Sequence, residues 1–193
     1  MTYHAARTEG GADAPLLFTF HGTGGDEHQL HGLGQQLMPG ARVVSPRGDV
    51  SEHGALRFFR RTGEGVYDMA DLATRTAAMV DFVAAEKGGT ETTGLGYSNG
   101  ANILATTAIH APELFDRLIL LHPLIPFTPD PVDLSGTRIL VTAGERDPIC
   151  PAPLTRTFTD WLESQGAEVT THWHPGGHEL ARSELDAIAA FLN

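Results

Sequence analysis

The sequence predicts an α/β fold in which a mostly parallel central sheet carries helices on both faces. Three observations predict it. Strand-like and helix-like segments alternate from one end of the chain to the other, the pattern that builds right-handed βαβ units. Residues 118–121 and 139–143 are continuous apolar runs, as central parallel strands covered on both faces require. A chain of 193 residues suits one domain with a sizeable core, so residues 1–193 are expected to form a single α/β domain.

The elements follow in order. Residues 2–8, starting at Thr2, are a candidate edge strand, hairpinned onto the first central strand through Gly10-Gly11. Residues 16–20 form a short apolar strand that runs into a glycine-rich turn. Asp26 followed by Gln29 reads as a helix start with a capping box. Leu30, Leu33 and Leu37 then repeat on one helical face, and Pro39-Gly40 stops the helix. A second strand covers 42–45. Residues 46–67 read as irregular and long for a connection, and such loops in compact domains are often functional. The next helix starts near Asp68. Its Met69, Leu72, Thr76, Met79 and Val83 step by three or four, which predicts one buried face, and Gly88-Gly89 ends it.

Residues 91–95 are strand-like. The helix over 101–110 is small and apolar on nearly every side, as a helix buried beneath neighbours is. Beyond the two central apolar runs come a helix over about 153–165 and an alternating outer strand over 168–173. A closing helix over 180–192 carries Ala181, Leu185, Ile188 and Leu192 on one face. The chain shows no internal repeat, low-complexity tract or linker.

Composition narrows the classes of function. An apolar content of 41% with 19% charged residues is ordinary for a soluble enzyme. The net charge of −11 argues against nucleic acid or an anionic membrane as partner, because both need a basic patch. The one cysteine, Cys150, excludes an intrachain disulfide framework and suits a reducing compartment. Residues 1–11 are polar and lack the apolar core of a signal peptide, and no apolar run is long enough to span a membrane. A cytoplasmic protein is expected, and a homodimer is left open.

The chemistry concentrates in Gly96-Tyr97-Ser98-Asn99-Gly100, a Gly-x-Ser-x-Gly pentapeptide between a strand and a helix. On that sharp turn the Ser98 Oγ is pushed out and exposed, and a side chain at either glycine would clash. Serine needs a base, and the base needs a third group to hold its tautomer. Ten histidines are candidates. His178 is the best placed, in the loop Pro175-Gly176-Gly177-His178 after the last strand, where functional groups gather in parallel sheets. Asp147, in Gly144-Glu145-Arg146-Asp147-Pro148, is the matching acid, with Glu145 as its rival. The chain order Ser, Asp, His is that of an α/β-hydrolase. The expected oxyanion hole is the backbone N–H of Asn99 with that of Thr23, in the loop His21-Gly22-Thr23-Gly24-Gly25. His21 is expected to brace this loop.

Two other features carry alternatives. Phe58, Phe59 and Arg60, in Arg57-Phe58-Phe59-Arg60-Arg61, either line a substrate pocket or pack over a core edge with solvated arginines. His122, at a strand end, points toward the active edge as a further pocket residue. His172, His174 and His178, with His28 and His31, form the nearest thing to a zinc pattern, but no cysteine pair or carboxylate spacing accompanies them. No metal and no cofactor is expected.

These residues together resemble the phospholipase/carboxylesterase family of small α/β-hydrolases, which includes acyl-protein thioesterases. The resemblance extends over nearly the whole chain and includes Ser45-Pro46-Arg47-Gly48 besides the motifs above. Through Tyr-Ser-Asn-Gly-Ala-Asn at 97–102 the chain is most similar to the bacterial carboxylesterase branch associated with hydroquinone resistance. The resemblance implies a serine esterase with its triad at Ser98, Asp147 and His178. The expected substrate is a small carboxylic ester with a short acyl chain, because the connection before residue 138 is too short for a cap. A lysophospholipase or acyl thioesterase is the alternative, and a non-catalytic binding protein on the same fold is a third reading. A dienelactone-cleaving reaction is disfavoured, since it wants a cysteine where Ser98 stands.

Overall fold

The computed structural model describes residues 3–193. The proposed edge-strand residue Thr2 lies outside them. Seven strands form the main sheet in the order β1-β3-β2-β8-β9-β10-β11. They are β1 (Ala5–Thr8), β2 (Leu16–Phe20), β3 (Arg42–Pro46), β8 (Thr92–Tyr97), β9 (Arg117–Leu121), β10 (Arg138–Gly144) and β11 (Glu168–His174). All neighbours are parallel except β1 and β3. The first strand therefore does not hairpin onto β2. Its register with β3 sets Ala5 against Pro46 and Thr8 against Val43. The segment with the glycine pair carries the chain from β1, on the free side of β3, across to β2.

Five helices cover the sheet: α1 (His31–Leu37), α2 (Met69–Glu86), α3 (Asn99–His110), α4 (Ala152–Ser164) and α5 (Arg182–Leu192). On one face, Leu72 and Met79 of α2, Ile103 and Leu104 of α3 and Phe158 of α4 meet Phe18, Phe20 and Val141 of the strands. Phe18 packs edge-on against Phe82 and Phe115, with ring centres 6.3 and 6.0 Å apart. Burial of each such ring stabilises the fold by roughly 1.5–3 kcal/mol. On the other face, Leu33 and Leu37 of α1 and Ile188 and Phe191 of α5 cover Leu17, Leu95 and Leu140.

Three local expectations are corrected. The Asp26/Gln29 capping box is absent. The helix starts at His31, and Asp26 instead folds a turn by accepting the His28 N–H at 2.9 Å. Gln29 Oε1 is taken by the Gly22 N–H at 2.7 Å, so the side chain meant for a cap holds the glycine-rich loop. Met69 is half exposed and leaves the buried stripe of α2, which continues from Leu72. Asp68 does cap that helix, accepting the Asp71 N–H at 3.1 Å. The span 46–67 is not irregular. It folds into two small antiparallel pairs, β4 (Val50–Glu52) with β5 (Ala55–Arg57), and β6 (Arg61–Gly63) with β7 (Val66–Tyr67). Between β9 and β10 no helix intervenes, so no cap covers the strand ends there. No helix among the described residues is long and apolar enough to cross a membrane.

Candidate active site

Parallel strands bring their carboxyl ends to one edge, and the candidate residues follow those ends. Ser98 stands between β8 and α3 with φ +53° and ψ −118°, a conformation costing about 1–3 kcal/mol for a non-glycine residue. A Cβ at Gly96 would sit 2.6 Å from the Gly100 carbonyl oxygen, and one at Gly100 would sit 2.1 Å from that of Phe20. Both glycines are therefore required for the turn to close against β2. The Ser98 N–H donates to the Leu121 carbonyl at 2.8 Å, which ties the turn to β9.

His178 leaves the loop after β11 and sets Nε2 2.9 Å from Ser98 Oγ. Its Nδ1 lies 2.7 Å from Asp147 Oδ2. The Tyr97 hydroxyl donates to the His178 carbonyl at 2.8 Å and fixes that loop over the turn. Asp147 follows β10. Its Oδ1 accepts the N–H groups of Ile149 at 2.8 Å and Cys150 at 2.9 Å. Burial disfavours the Asp147 charge, but the Cys150 N–H, both imidazoles and the Ile149 N–H outweigh it and lower its pKa. A Cβ at Gly144 would fall 2.0 Å from the Gly177 carbonyl, so the loops bearing Asp147 and His178 touch where only glycine fits. Glu145, the rival acid, is exposed and stands outside this chain of hydrogen bonds. The arrangement can move a proton from Ser98 Oγ to His178 while Asp147 holds the ring.

The loop at 21–25 lies beside the serine. Gly48 N–H donates to His21 Nε2 at 2.9 Å, so Nδ1 carries the ring proton and donates to the Gly22 carbonyl at 2.7 Å. Burial lowers the His21 pKa, and the neutral ring braces the loop. Thr23 N–H has no backbone acceptor among the described residues, and its Oγ1 accepts from Arg57 Nη1 at 2.8 Å. Asn99 opens α3, where amide groups lack intrahelical partners. Both residues line one cleft with Ser98 and His178, with a volume of about 250 Å³. Arg57, Arg61 and Glu64 form a charged wall, and Leu124, Ile149 and Cys150 contribute to the lining elsewhere. Arg61 Nη1 reaches Glu64 at 2.5 Å.

Three pocket expectations are corrected. Phe58 and Phe59 are fully enclosed, their rings packed against Phe20 at 5.8 Å and Tyr67 at 4.8 Å. They support the cleft from beneath and do not line it. Arg60 is exposed, and its backbone is what is engaged, the N–H by Asp71 Oδ2 at 2.7 Å and the carbonyl by the Asp68 N–H at 3.1 Å. The guanidinium groups in the cleft belong to Arg57 and Arg61. His122 is also fully enclosed. It faces away from the cleft, with Nδ1 2.9 Å from Asp147 Oδ2 and Nε2 3.0 Å from Glu184 Oε1.

Sequence reasoning missed Asn102, Tyr67 and Glu184. Asn102 donates to the Tyr67 hydroxyl at 2.9 Å and accepts the Leu124 N–H at 2.7 Å, while that hydroxyl donates to the Leu124 carbonyl at 2.7 Å. Asn99 Oδ1 accepts the Phe58 N–H at 2.8 Å. The signal was present: two asparagines three apart in an otherwise apolar buried helix must each find partners. The histidine pattern considered for zinc disperses. His172 meets Ser183 and His31 meets Ser45 and Thr8. The groupings with metal-like spacing are His122/His174/Glu184 and His122/Asp147/His178, and hydrogen bonds between their own members or to neighbours occupy most of these atoms.

A model of the dienelactone hydrolase family matches residues 54–188. The chain is 37% identical over 186 residues to a Bacillus subtilis (strain 168) protein, MhqD, named as a hydrolase, covering 92% of each. Among solved structures, protein Atu2452 of Agrobacterium tumefaciens str. C58, of unknown function, is 54% identical with TM-score 0.95, covering 98% of this chain and 95% of that one. A Bacillus cereus carboxylesterase is 34% identical with TM-score 0.92, covering 98% and 93%. With these matches and the α/β-hydrolase architecture, the chain is a hydrolase of the carboxylesterase type and belongs to the dienelactone hydrolase family.

Proposed function

We propose that this hydrolase is a serine carboxylesterase acting on small carboxylic esters with short acyl chains, and that residues 1–193 work as one domain. Ser98 is the nucleophile, His178 the general base and Asp147 the group that holds the base. The observation that carries this reading is the continuous chain from Ser98 Oγ through His178 to Asp147 Oδ2, at 2.9 and 2.7 Å, starting at a serine with positive φ. Ser98 Oγ attacks the carbonyl carbon as His178 Nε2 takes its proton. The N–H groups of Thr23 and Asn99 receive the oxyanion. His178 then protonates the departing alkoxide, leaving an acyl-enzyme that water hydrolyses by the same steps in reverse.

The cleft supports the substrate class. About 250 Å³ with a charged wall accommodates a few methylenes and a polar leaving group. The lone buried Cys150 supports a reducing compartment such as the cytoplasm. The deciding experiment is intact-mass analysis after fluorophosphonate treatment. One adduct on Ser98, with labelling and turnover abolished in Ser98→Ala, is expected. Full turnover in Ser98→Ala, or turnover lost only to a chelator, would overturn the assignment.

A further inference from the structure

We propose that His122 and Glu184 form a positioning pair, in which Glu184 holds His122 as an imidazolium and His122 fixes Asp147 and keeps His178 uncharged at rest. The proposal rests on the serine-esterase reading above. His122 lies between two carboxylates, Asp147 Oδ2 at 2.9 Å and Glu184 Oε1 at 3.0 Å, and all three side chains are completely enclosed. An ionised carboxylate only accepts hydrogen bonds, and a neutral imidazole carries one donor. A neutral His122 would turn a ring lone pair onto a carboxylate oxygen in a dry site, which is costly. The imidazolium donates to both.

The remaining capacity of both carboxylates is filled, the condition under which buried ion pairs persist. Glu184 Oε1 accepts the Thr142 hydroxyl at 2.6 Å, and Oε2 accepts the Ala181 N–H at 2.6 Å. Asp147 Oδ1 holds the Ile149 and Cys150 amides. The His122 backbone is itself strained, with φ +51°. It is pinned by its N–H on the Thr142 carbonyl at 2.9 Å and by the Cys150 thiol donating to its carbonyl at 3.2 Å. Strain of this kind persists only where the surroundings over-determine it.

Other titratable groups face the ring. His178 lies 5.2 Å away between ring centres, His174 5.4 Å and Tyr97 6.1 Å. His174 Nδ1 accepts the Gly176 N–H at 3.1 Å, which leaves Nε2 as the protonated nitrogen, 3.5 Å from Glu184 Oε2. Glu179 adds a more distant negative charge, and the Cys150 thiol is kept protonated by burial. Burial works against charge on His122, but the hydrogen bonds to Glu184 and Asp147 prevail and raise its pKa. Glu184 is shifted down: burial opposes its charge, and His122, Thr142 and the Ala181 N–H overcome that.

The charges explain the effect. Asp147 and Glu184 with protonated His122 leave one net negative charge, which becomes zero when His178 takes the serine proton. Without the His122 cation, a second uncompensated negative charge would stand near the His178 ring and favour its charged form. A protonated His178 cannot act as base.

Two variants separate the parts of this device. His122→Asn keeps an amide donor near the Nδ1 position and tolerates positive φ, but removes the charge. His122→Gln reaches toward Glu184 and leaves Asp147 Oδ2 with His178 as its one imidazole donor. The readouts are kcat/KM for p-nitrophenyl acetate against pH and the stoichiometry of fluorophosphonate labelling. Both variants should shift the acid limb upward by about one pH unit, and the Gln variant should lose more kcat than the Asn variant. An unmoved limb in an Asn variant that still labels once at Ser98 would overturn the proposal while leaving the esterase reading intact. Failure of the wild type to label at Ser98 would instead remove the esterase reading beneath it. For the unmutated protein, ¹⁵N NMR should find both His122 ring nitrogens still protonated above the ordinary histidine pKa of about 6.5, the direction its two carboxylate partners impose. A His122 ring already neutral at that pH overturns the proposal. So does a stoichiometric metal whose removal abolishes activity, since His122 Nε2 would then be a ligand rather than a donor.

Discussion

The two sides of Asp147 hold the same kind of side chain in opposite conditions. In front, His178 reaches toward the cleft and its side chain keeps 16% of its surface exposed. Behind, His122 makes a closely similar contact with the same oxygen, Oδ2, yet is sealed completely. The front ring meets a hydroxyl that can give up a proton. The back ring meets a second carboxylate that cannot. An imidazole between a carboxylate and a serine is free to cycle between charge states. An imidazole between two enclosed carboxylates has its charge state fixed. On the proposed reading, proton chemistry is allotted by the second partner and by solvent access, not by residue type.

The largest expected effect comes from the residue both sides share. Asp147→Asn replaces an acceptor of two imidazole donors by an amide, so it should reduce kcat by about 10³–10⁴-fold through loss of the productive His178 tautomer. Glu145→Gln, which alters an exposed side chain outside the network, should leave kcat within about twofold, as surface changes usually do. If the Glu145 variant is the crippled one, the distinction between front and back has been drawn around the wrong carboxylate.

A smaller effect tests whether the back is ionic. Removing one partner of an enclosed charge pair costs about 3–5 kcal/mol, so His122→Asn should lower the urea midpoint measurably. Its pH dependence has a defined sign. Asp147 and Glu184 have lowered pKa values, so their contribution is present above their ordinary values and lost as pH falls. His122 has a raised pKa, so its contribution is full below its ordinary value and is lost as pH rises through the raised one. The stability gap between wild type and variant should therefore be widest between about pH 4.5 and 6.5 and narrow on both sides. A gap that is constant from pH 4 to 9 would mean that His122 is packing, not charge.

The front was legible in the sequence and the back was not, for a physical reason. Ser98, Asp147 and His178 each sit in a short local signature, a glycine-bounded turn at a strand end, and the structure brings these three within hydrogen-bond reach. The strand alternation was equally local, and the sheet follows it. Glu184 carries no such mark. It lies in the first turn of an amphipathic helix, where an acid reads as an ordinary cap or solvated residue, and only contact with β10 and with the residue that follows β9 makes it a partner of Thr142 and His122. Phe58 and Phe59 misled because an aromatic pair in a long loop fits a pocket wall as well as a core. The structure decides it by burying both rings in the main core. Gln29 misled in the same way, its capping spacing being satisfied while its amide was needed by Gly22.

The smallest effects concern the substrate, and they belong to the front alone. A cleft of about 250 Å³ between Arg57, Arg61 and Glu64 and the Leu124 and Ile149 side chains can enclose only a few carbons. Each enclosed methylene contributes ~0.8 kcal/mol, about fourfold in kcat/KM. The gain stops when the acyl tail reaches water, and longer tails lose by clashing. Among p-nitrophenyl esters, kcat/KM should therefore peak between acetate and butyrate and fall by octanoate. With no helix inserted between β9 and β10, no lid exists there to open, so no jump should appear above the critical micelle concentration. A maximum at decanoate, or efficient release of fatty acid from a lysophospholipid, would replace the short-acyl reading by the lysophospholipase one. The same series run on His122→Asn sharpens the contrast between the two sides. If the back ring acts only through Asp147, every ester loses rate by the same factor and the acyl profile keeps its shape. A profile that changes shape in that variant would show that the sealed side also shapes the cleft, and the separation of front from back would fail.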